Sequence, residues 1–263
     1  MTDTITPTPP AASAPSSAGI GIRVATAVIG GSIAVIAIVA AAVGQFGLAG
    51  AMSSETSELI PASITSIEID NTVGDVSVFT TPGATPKVDM MVDAFAWNQP
   101  VAPQVTIDGT ELSIDVPDRG GVCFGWCSGQ VTILIELGDL SLDELDITSD
   151  VGTIAVNEGV VVRDLSVESS VGDIRADLVQ ATAIDITSDV GNVQVWADAQ
   201  TRSIIVTTSV GDIEIGVQPG VEYDARASSE IGSVTTDLTE SRSATNTITA
   251  SSEVGDVTIY TIR

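Results

Sequence analysis

Seven times this chain repeats one phrase: an apolar strand, a Ser/Thr-rich step, Val-Gly or Ile-Gly, a small polar residue, and a second strand. The glycines are Gly74, Gly152, Gly172, Gly191, Gly211, Gly232 and Gly255, and the last six recur every 19 to 23 residues. That is the period of a solenoid coil, in which no coil can bury its own face and stacked coils share one core. The repeat therefore predicts an all-β chain, a parallel β-solenoid of about 20 residues per coil, with right-handed winding as parallel crossovers favour.

With each glycine as position zero, the columns can be read directly. Position −7 holds Ile67, Leu145, Leu165, Ile184, Ile204, Ala225 and Ile248. Position −5 holds Ile69, Ile147, Val167, Ile186, Val206, Ala227 and Ala250. Position −1 is always Val or Ile, and so is position +2, from Val76 to Val257. Apolar residues at −7, −5 and −1 keep period two, which assigns all three columns to one buried face. After the glycine the parity switches, so the chain turns a corner there, and glycine allows the corner without a Cβ clash.

Position −3 holds Asn71, Ser149, Ser169, Ser188, Thr208, Ser229 and Ser252. Parity points this column inward, where small polar groups can satisfy corner backbone atoms or one another. A row of nucleophiles would need a base, and the chain has no His. Carboxylates occupy −2 (Asp150, Asp189, Glu230, Glu253) and +1 (Asp75, Asp173, Asp212, Asp256). Over the first six corners they alternate sides along the chain, which reads as spacing of like charge on a solvated edge. A row of calcium sites is the rival reading, but the calcium-binding nonapeptide is absent, and no metal or cofactor is expected. A polysaccharide-cleaving site is disfavoured too: Asp173 and Asp212 share a column with only Arg175 nearby in sequence. The last coil, with Glu253 and Asp256, is expected to form a charged terminal edge.

Gly74 and Gly152 are far apart. Residues 87–137 read as an elaborated, more antiparallel section, with strands at Val88–Trp97, Gln104–Ile107, Leu112–Val116 and Gln130–Leu137 and a hairpin at Asp108-Gly109. It would cap the open end of the core. Phe95, Trp97, Phe124 and Trp126 fall here, as possible contacts for glycan or protein or as a lid on the first rung. Cys123 and Cys127 form an even pair, read as a disulfide if the domain is exported.

The first fifty residues differ from the rest. Residues 1–19, rich in Pro, Ser, Thr and Ala, read as a disordered tail. Val24 to Val43 carries no charge, and twenty helical residues span about 30 Å, a bilayer core. The domains expected are thus a tail at 1–19, a transmembrane helix at 20–44, a linker at 45–59 and a solenoid at 60–263. Arg23 precedes the apolar run and the next cation is Lys87, so the positive-inside bias puts the N-terminus in the cytoplasm and the solenoid outside the cell. A cleaved signal peptide ending near Ala49-Gly50-Ala51 is the rival, and exports the same domain. The net charge of −26 falls on that exported part and argues against nucleic acid as a partner.

The phrase S-x-V-G-D-[IV], as in ESSVGDIRA and TTSVGDIEI, resembles the bacterial putative-adhesin domain of unknown function. The resemblance covers about residues 60–263. It implies a β-solenoid with serine, glycine and aspartate corners behind a membrane helix, associated with the cell envelope and not an enzyme. The expected partners are the membrane, through the anchor, and an unknown envelope or surface protein or glycan. The alternative it implies is a regulatory or scaffolding membrane protein of the envelope stress response. The Cys123–Cys127 loop departs from the family pattern.

Overall fold

A computed structural model describes residues 52–94, 103–116, 129–238, 241 and 243–262. The predicted transmembrane helix at 20–44, the four aromatics Phe95, Trp97, Phe124 and Trp126, and the cysteines Cys123 and Cys127 lie outside the described residues. Among those described no helix is long and apolar enough to cross a membrane.

The described chain is all β. In order it runs β1 (Met52–Leu59), β2 (Ser66–Phe79), β3 (Lys87–Ala94), β4 (Gln104–Asp108), β5 (Glu111–Val116), β6 (Gly129–Glu136), β7 (Ser141–Val151), β8 (Ile154–Val156) and β9 (Val161–Val171). It continues with β10 (Ile174–Val190), β11 (Val193–Ala197), β12 (Ser203–Val210), β13 (Ile213–Val217), β14 (Tyr223–Ile231), β15 (Val234–Asp237), β16 (Asn246–Val254) and β17 (Val257–Thr261). Each coil contributes one strand to a sheet before the glycine and one to a second sheet after it. The rungs pair in parallel: Ile184 with Ile204 before the corner, and Val193 with Ile213 after it. β2 runs through its corner unbroken. β10 joins two coils, with the return between them reduced to a bulge at Leu178 (φ 42°).

The core lies between the two sheets. Ile67, Leu145, Leu165, Ile184, Ile204 and Ile248 stack along one wall, and Ile154, Ile174, Val193, Ile213 and Val257 along the other; all are buried. Each side chain sits about 4.8 Å from its equivalent on the next rung. These ladders are the expected −7 and +2 columns.

The −1 column departs from expectation. Val73, Val151, Val171, Val190, Val210 and Val254 are 41–47% exposed, and Ile231 is 67% exposed. Period two stops at −3. Residues −2 to +1 all belong to the corner, so −1 faces outward although its parity matches the buried columns.

The N-terminal section is part stack and part cap. β5 and β6 both pair in parallel with β2, as an extra rung on the side away from β7 and β8. Outside them β4 pairs antiparallel with β5, β3 with β6, and β1 with β3. The four strands read from the sequence are present; their described ends match the expected ones to within one residue, and the expected end of the first at Trp97 lies outside the described residues. The first glycine coil is therefore second in the stack.

At the other end the order is corrected. β16 pairs with β12 on one side and β14 on the other, and β17 sits likewise between β13 and β15. The coil of Gly255 is inserted between those of Gly211 and Gly232, and the Gly232 coil is terminal. Its inward residues explain why it can be: Ala225 and Ala227 replace the large residues of −7 and −5 and lie only partly buried against the core.

Candidate functional site

Seven stacked corners run along one edge of the solenoid. Every corner glycine has φ between 141° and 156°. A Cβ on Gly191 would lie 2.0 Å from the carbonyl oxygen of Gly172, and one on Gly211 would lie 1.9 Å from that of Gly191. Both the dihedral and the close approach exclude a side chain.

The backbone groups of the corner can be accounted for one at a time. The glycine N–H donates to the −1 carbonyl of the next rung, as from Gly191 to Val210 (2.9 Å). The +2 N–H donates to the next +1 carbonyl, as from Val193 to Asp212 (2.9 Å). The +1 N–H points the other way, and a side chain on the previous rung accepts it. Thr153 N–H donates to Asp75 Oδ1 (2.9 Å), Asn192 to Asp173 Oδ1 (2.8 Å), Asp212 to Asn192 Oδ1 (3.0 Å), Asp256 to Asp212 Oδ1 (2.8 Å) and Ser233 to Asp256 Oδ1 (2.7 Å). The +1 carboxylates are thus acceptors in a backbone ladder. Spacing of like charge does not explain them, because the true rung order puts Asp212 directly beside Asp256. The backbone N–H of Ser233, then its hydroxyl, holds the Asp256 carboxyl below the usual carboxylate range.

Asn192 fills the same role without charge, which gives a direct test. Asp212→Asn is expected to leave stability within about 0.5 kcal/mol. Asp212→Ala should cost about 1 kcal/mol by removing the acceptor for Asp256 N–H. Urea unfolding midpoints at constant slope measure both.

The −3 column points inward, as its parity predicts. Asn71, Ser149, Ser169, Ser188, Thr208 and Ser252 are buried. Ser252 Oγ donates to the Gly211 carbonyl (3.0 Å), Ser229 Oγ to Gly255 (2.7 Å) and Asn71 Nδ2 to Gly74 (2.7 Å). Asp173 and Asp212, the carboxylates a cleaving enzyme would need, each spend an oxygen on the ladder. Arg175 turns instead to Asp177 (2.7 Å) and stacks 4.5 Å from the Trp196 ring centroid.

Trp196 and Tyr260 stand outside the residues that the sequence alone marks as candidate contacts. On the outer face of the post-glycine sheet, Trp196 Nε1 donates to the Tyr260 hydroxyl (2.8 Å) across the Gly216 rung. A Cβ at Gly216 would come within 2.5 Å of the indole, so this glycine makes room for it. The sequence signal was the aromatic pair at one column, +5, with glycine between their rungs.

The outer face of the other sheet has two halves. Toward the N-terminal section it is acidic: burial, then Glu111, Asp146 and Asp70, push the Glu68 carboxyl up, and burial also raises Asp70 and Asp146. Further along it carries hydroxyls, with Thr187 beside Thr207, Thr207 beside Ser251, and Ser251 beside Ser228. Among the described residues no group of three or more His, Cys, Asp or Glu could hold a metal ion.

The acidic half predicts a pH dependence. A carboxyl whose pKa is raised on folding binds protons more readily in the folded state. Its contribution is full below the unfolded value and is lost as pH rises through the folded value. Asp256 and Asp89, both lowered, act oppositely and lose theirs as pH falls. The melting temperature should therefore be higher near about pH 5 than at neutral pH and fall again in stronger acid. Glu68→Gln should raise the neutral melting temperature and flatten this slope in circular-dichroism melts.

These features define a parallel β-solenoid with glycine corners, side-chain-capped at +1 and hydroxyl-lined at −3. Residues 64–259 match the family described as Toastrack DUF4097, and the chain belongs to that family. No curated protein matches. Among solved structures it is similar to a putative cell adhesion protein from Clostridium sporogenes, at 13% identity and TM-score 0.48, covering 80% of this chain and 100% of that one. It is also similar to a putative adhesin from Bacteroides fragilis, at 16% identity and TM-score 0.39, covering 80% and 97%. A third, titled a putative lipid binding protein, comes from Parabacteroides distasonis, at 12% identity and TM-score 0.36, covering 81% and 97%.

Proposed function

We propose that this chain is a single-pass, membrane-anchored protein with a cytoplasmic N-terminus, whose solenoid stands outside the cell. It acts as a non-enzymatic, adhesin-like module that contacts an envelope or surface partner. The observation that carries the contact reading is the run of Thr187, Thr207, Ser251 and Ser228 in register on four consecutive rungs of one open face. Such a surface offers many weak polar contacts to a repetitive or extended partner. The uncharged run from Val24 to Val43, with Arg23 before it, supports the anchor and its orientation. Family membership over residues 64–259 supports the solenoid as the working part.

Two measurements test the proposal. Protease added to intact cells should cleave within residues 60–263 and spare an epitope placed in residues 1–19. The full chain, purified with its apolar segment, should retain material from isolated cell envelopes in a pull-down. A protected solenoid overturns the topology, and an empty pull-down overturns the contact role.

A further inference from the structure

The outward −1 column is the feature that the fold does not explain. In spatial order it runs Val73, Val151, Val171, Val190, Val210, Val254, Ile231, with each residue 41–67% exposed. Seven rungs at about 4.8 Å make a ridge about 29 Å long. Extended backbone favours β-branched residues, and Thr would meet that need equally well. This chain does use Thr at other corner positions, at −2 (Thr72), −3 (Thr208) and +1 (Thr153), and at −4 (Thr187, Thr207). It never uses Thr at −1. What the seven corners keep is therefore apolar character, on a surface open to water.

The ridge is flanked by charge of one sign. On the +1 side the carboxylates are engaged with backbone N–H groups. On the −2 side Asp150, Asp189, Glu230 and Glu253 are exposed. The ion pairs of the described residues lie elsewhere, at Lys87, Arg163, Arg175 and Arg226. In rung order the −2 carboxylates stand on the coils of Gly152, Gly191, Gly255 and Gly232. Asp150, Asp189 and Glu253 thus stand on alternate rungs, about 10 Å apart, and Glu230 stands on the rung next to Glu253, about 4.8 Å away.

From this geometry we infer that the valine ridge is a docking surface for a basic amphipathic helix of a partner protein. This deepens the contact reading above and rests on it. An amphipathic helix repeats its apolar stripe about every 5.4 Å, close to the rung spacing, and a heptad advances about 10.5 Å, close to the spacing of Asp150, Asp189 and Glu253. About 20 helical residues cover the ridge. Lys or Arg beside the apolar stripe would meet the −2 carboxylates. A second copy of this chain would bring the same carboxylates against them, and anionic lipid or nucleic acid would be repelled for the same reason.

The probe is a synthetic 21-residue Leu/Lys amphipathic helix, with a scrambled peptide of equal composition as control. Binding is measured by interferometry to the full chain in nanodiscs, with empty nanodiscs subtracted. Saturable binding that weakens with salt is expected for the amphipathic peptide and not for the scrambled one. Val171→Thr/Val190→Thr/Val210→Thr keeps shape and strand preference and should weaken binding about tenfold or more. Asp189→Asn/Glu253→Gln, which touches no apolar residue, should weaken it several-fold and reduce its salt dependence. Unchanged affinity in both variants, equal binding of the scrambled peptide, or no saturable binding overturns the inference. Envelope material that the triple variant still retains in a pull-down would remove the ridge from the account and leave the contact role standing. An empty pull-down from the unaltered chain removes the contact role itself.

Discussion

Gly191→Ala should be among the most damaging single changes in the domain, costing about 3 kcal/mol or more. Two penalties combine. At φ 151° an alanine is strained, by about 1–3 kcal/mol. Its Cβ would also stand 2.0 Å from the Gly172 carbonyl oxygen. That atom belongs to a packed backbone with no side-chain freedom to yield, so the two rungs must separate and lose neighbouring ladder bonds. Gly220→Ala separates the two effects. Gly220 also has positive φ, 85°, yet nothing lies within 4 Å of its added Cβ. It should cost only the strain, about 1 kcal/mol. Equal losses at the two sites in urea unfolding would show that the close stacking of corners carries no weight. The corner glycines are scaffold on this account, and substituting one tests the stack and not a ligand.

The sequence made most of this scaffold readable because a period-two pattern with a fixed punctuation mark has few structural solutions. Ile184, Ile204 and Ile248 announce a ladder wherever they lie along the axis. The same logic failed at −1. Parity counts residues as if the strand continued, and the corner had already begun at −2, so Val190 looked buried and is not. Charge reasoning failed at +1 for a different cause. Asp173 and Asn192 interchange there because each offers an acceptor oxygen, a role visible only once the direction of the +1 N–H is known. The order of the last coils could not be read from spacing, since Gly211, Gly232 and Gly255 are evenly separated whichever coil is inserted. The size of the inward residues did hold a signal. Ala225 and Ala227 on one coil, and Ala250 alone on the other, taper toward the end that the structure shows. The Trp196–Tyr260 contact was hidden because it joins rungs 64 residues apart in sequence.

Removing the last coil should be the other large effect. β14 and β15 pair with β16 and β17 on one side and, among the described residues, with no further rung. A chain ending at Ala244 would therefore leave the Gly232 coil with no neighbour, and expose the edges of β12 and β13 as well. In a solenoid whose stability is a sum of rungs and interfaces, that deletes one rung and two interfaces together. The β14–β15 coil cannot make up the loss by moving one place inward. Ala225 and Ala227 would then face the large Ile204 and Val206 rung, leaving the volume that Ile248 fills unoccupied. Hydrogen exchange should show protection lost throughout Tyr223–Asp237 and weakened in β12 and β13, with β7 and β9 unchanged. Retained protection across β14 would mean that the Gly232 coil had re-paired with β12, in the sequential order that spacing alone suggests. The inserted coil would then be dispensable to the fold, and the tapering alanines would not be what places it.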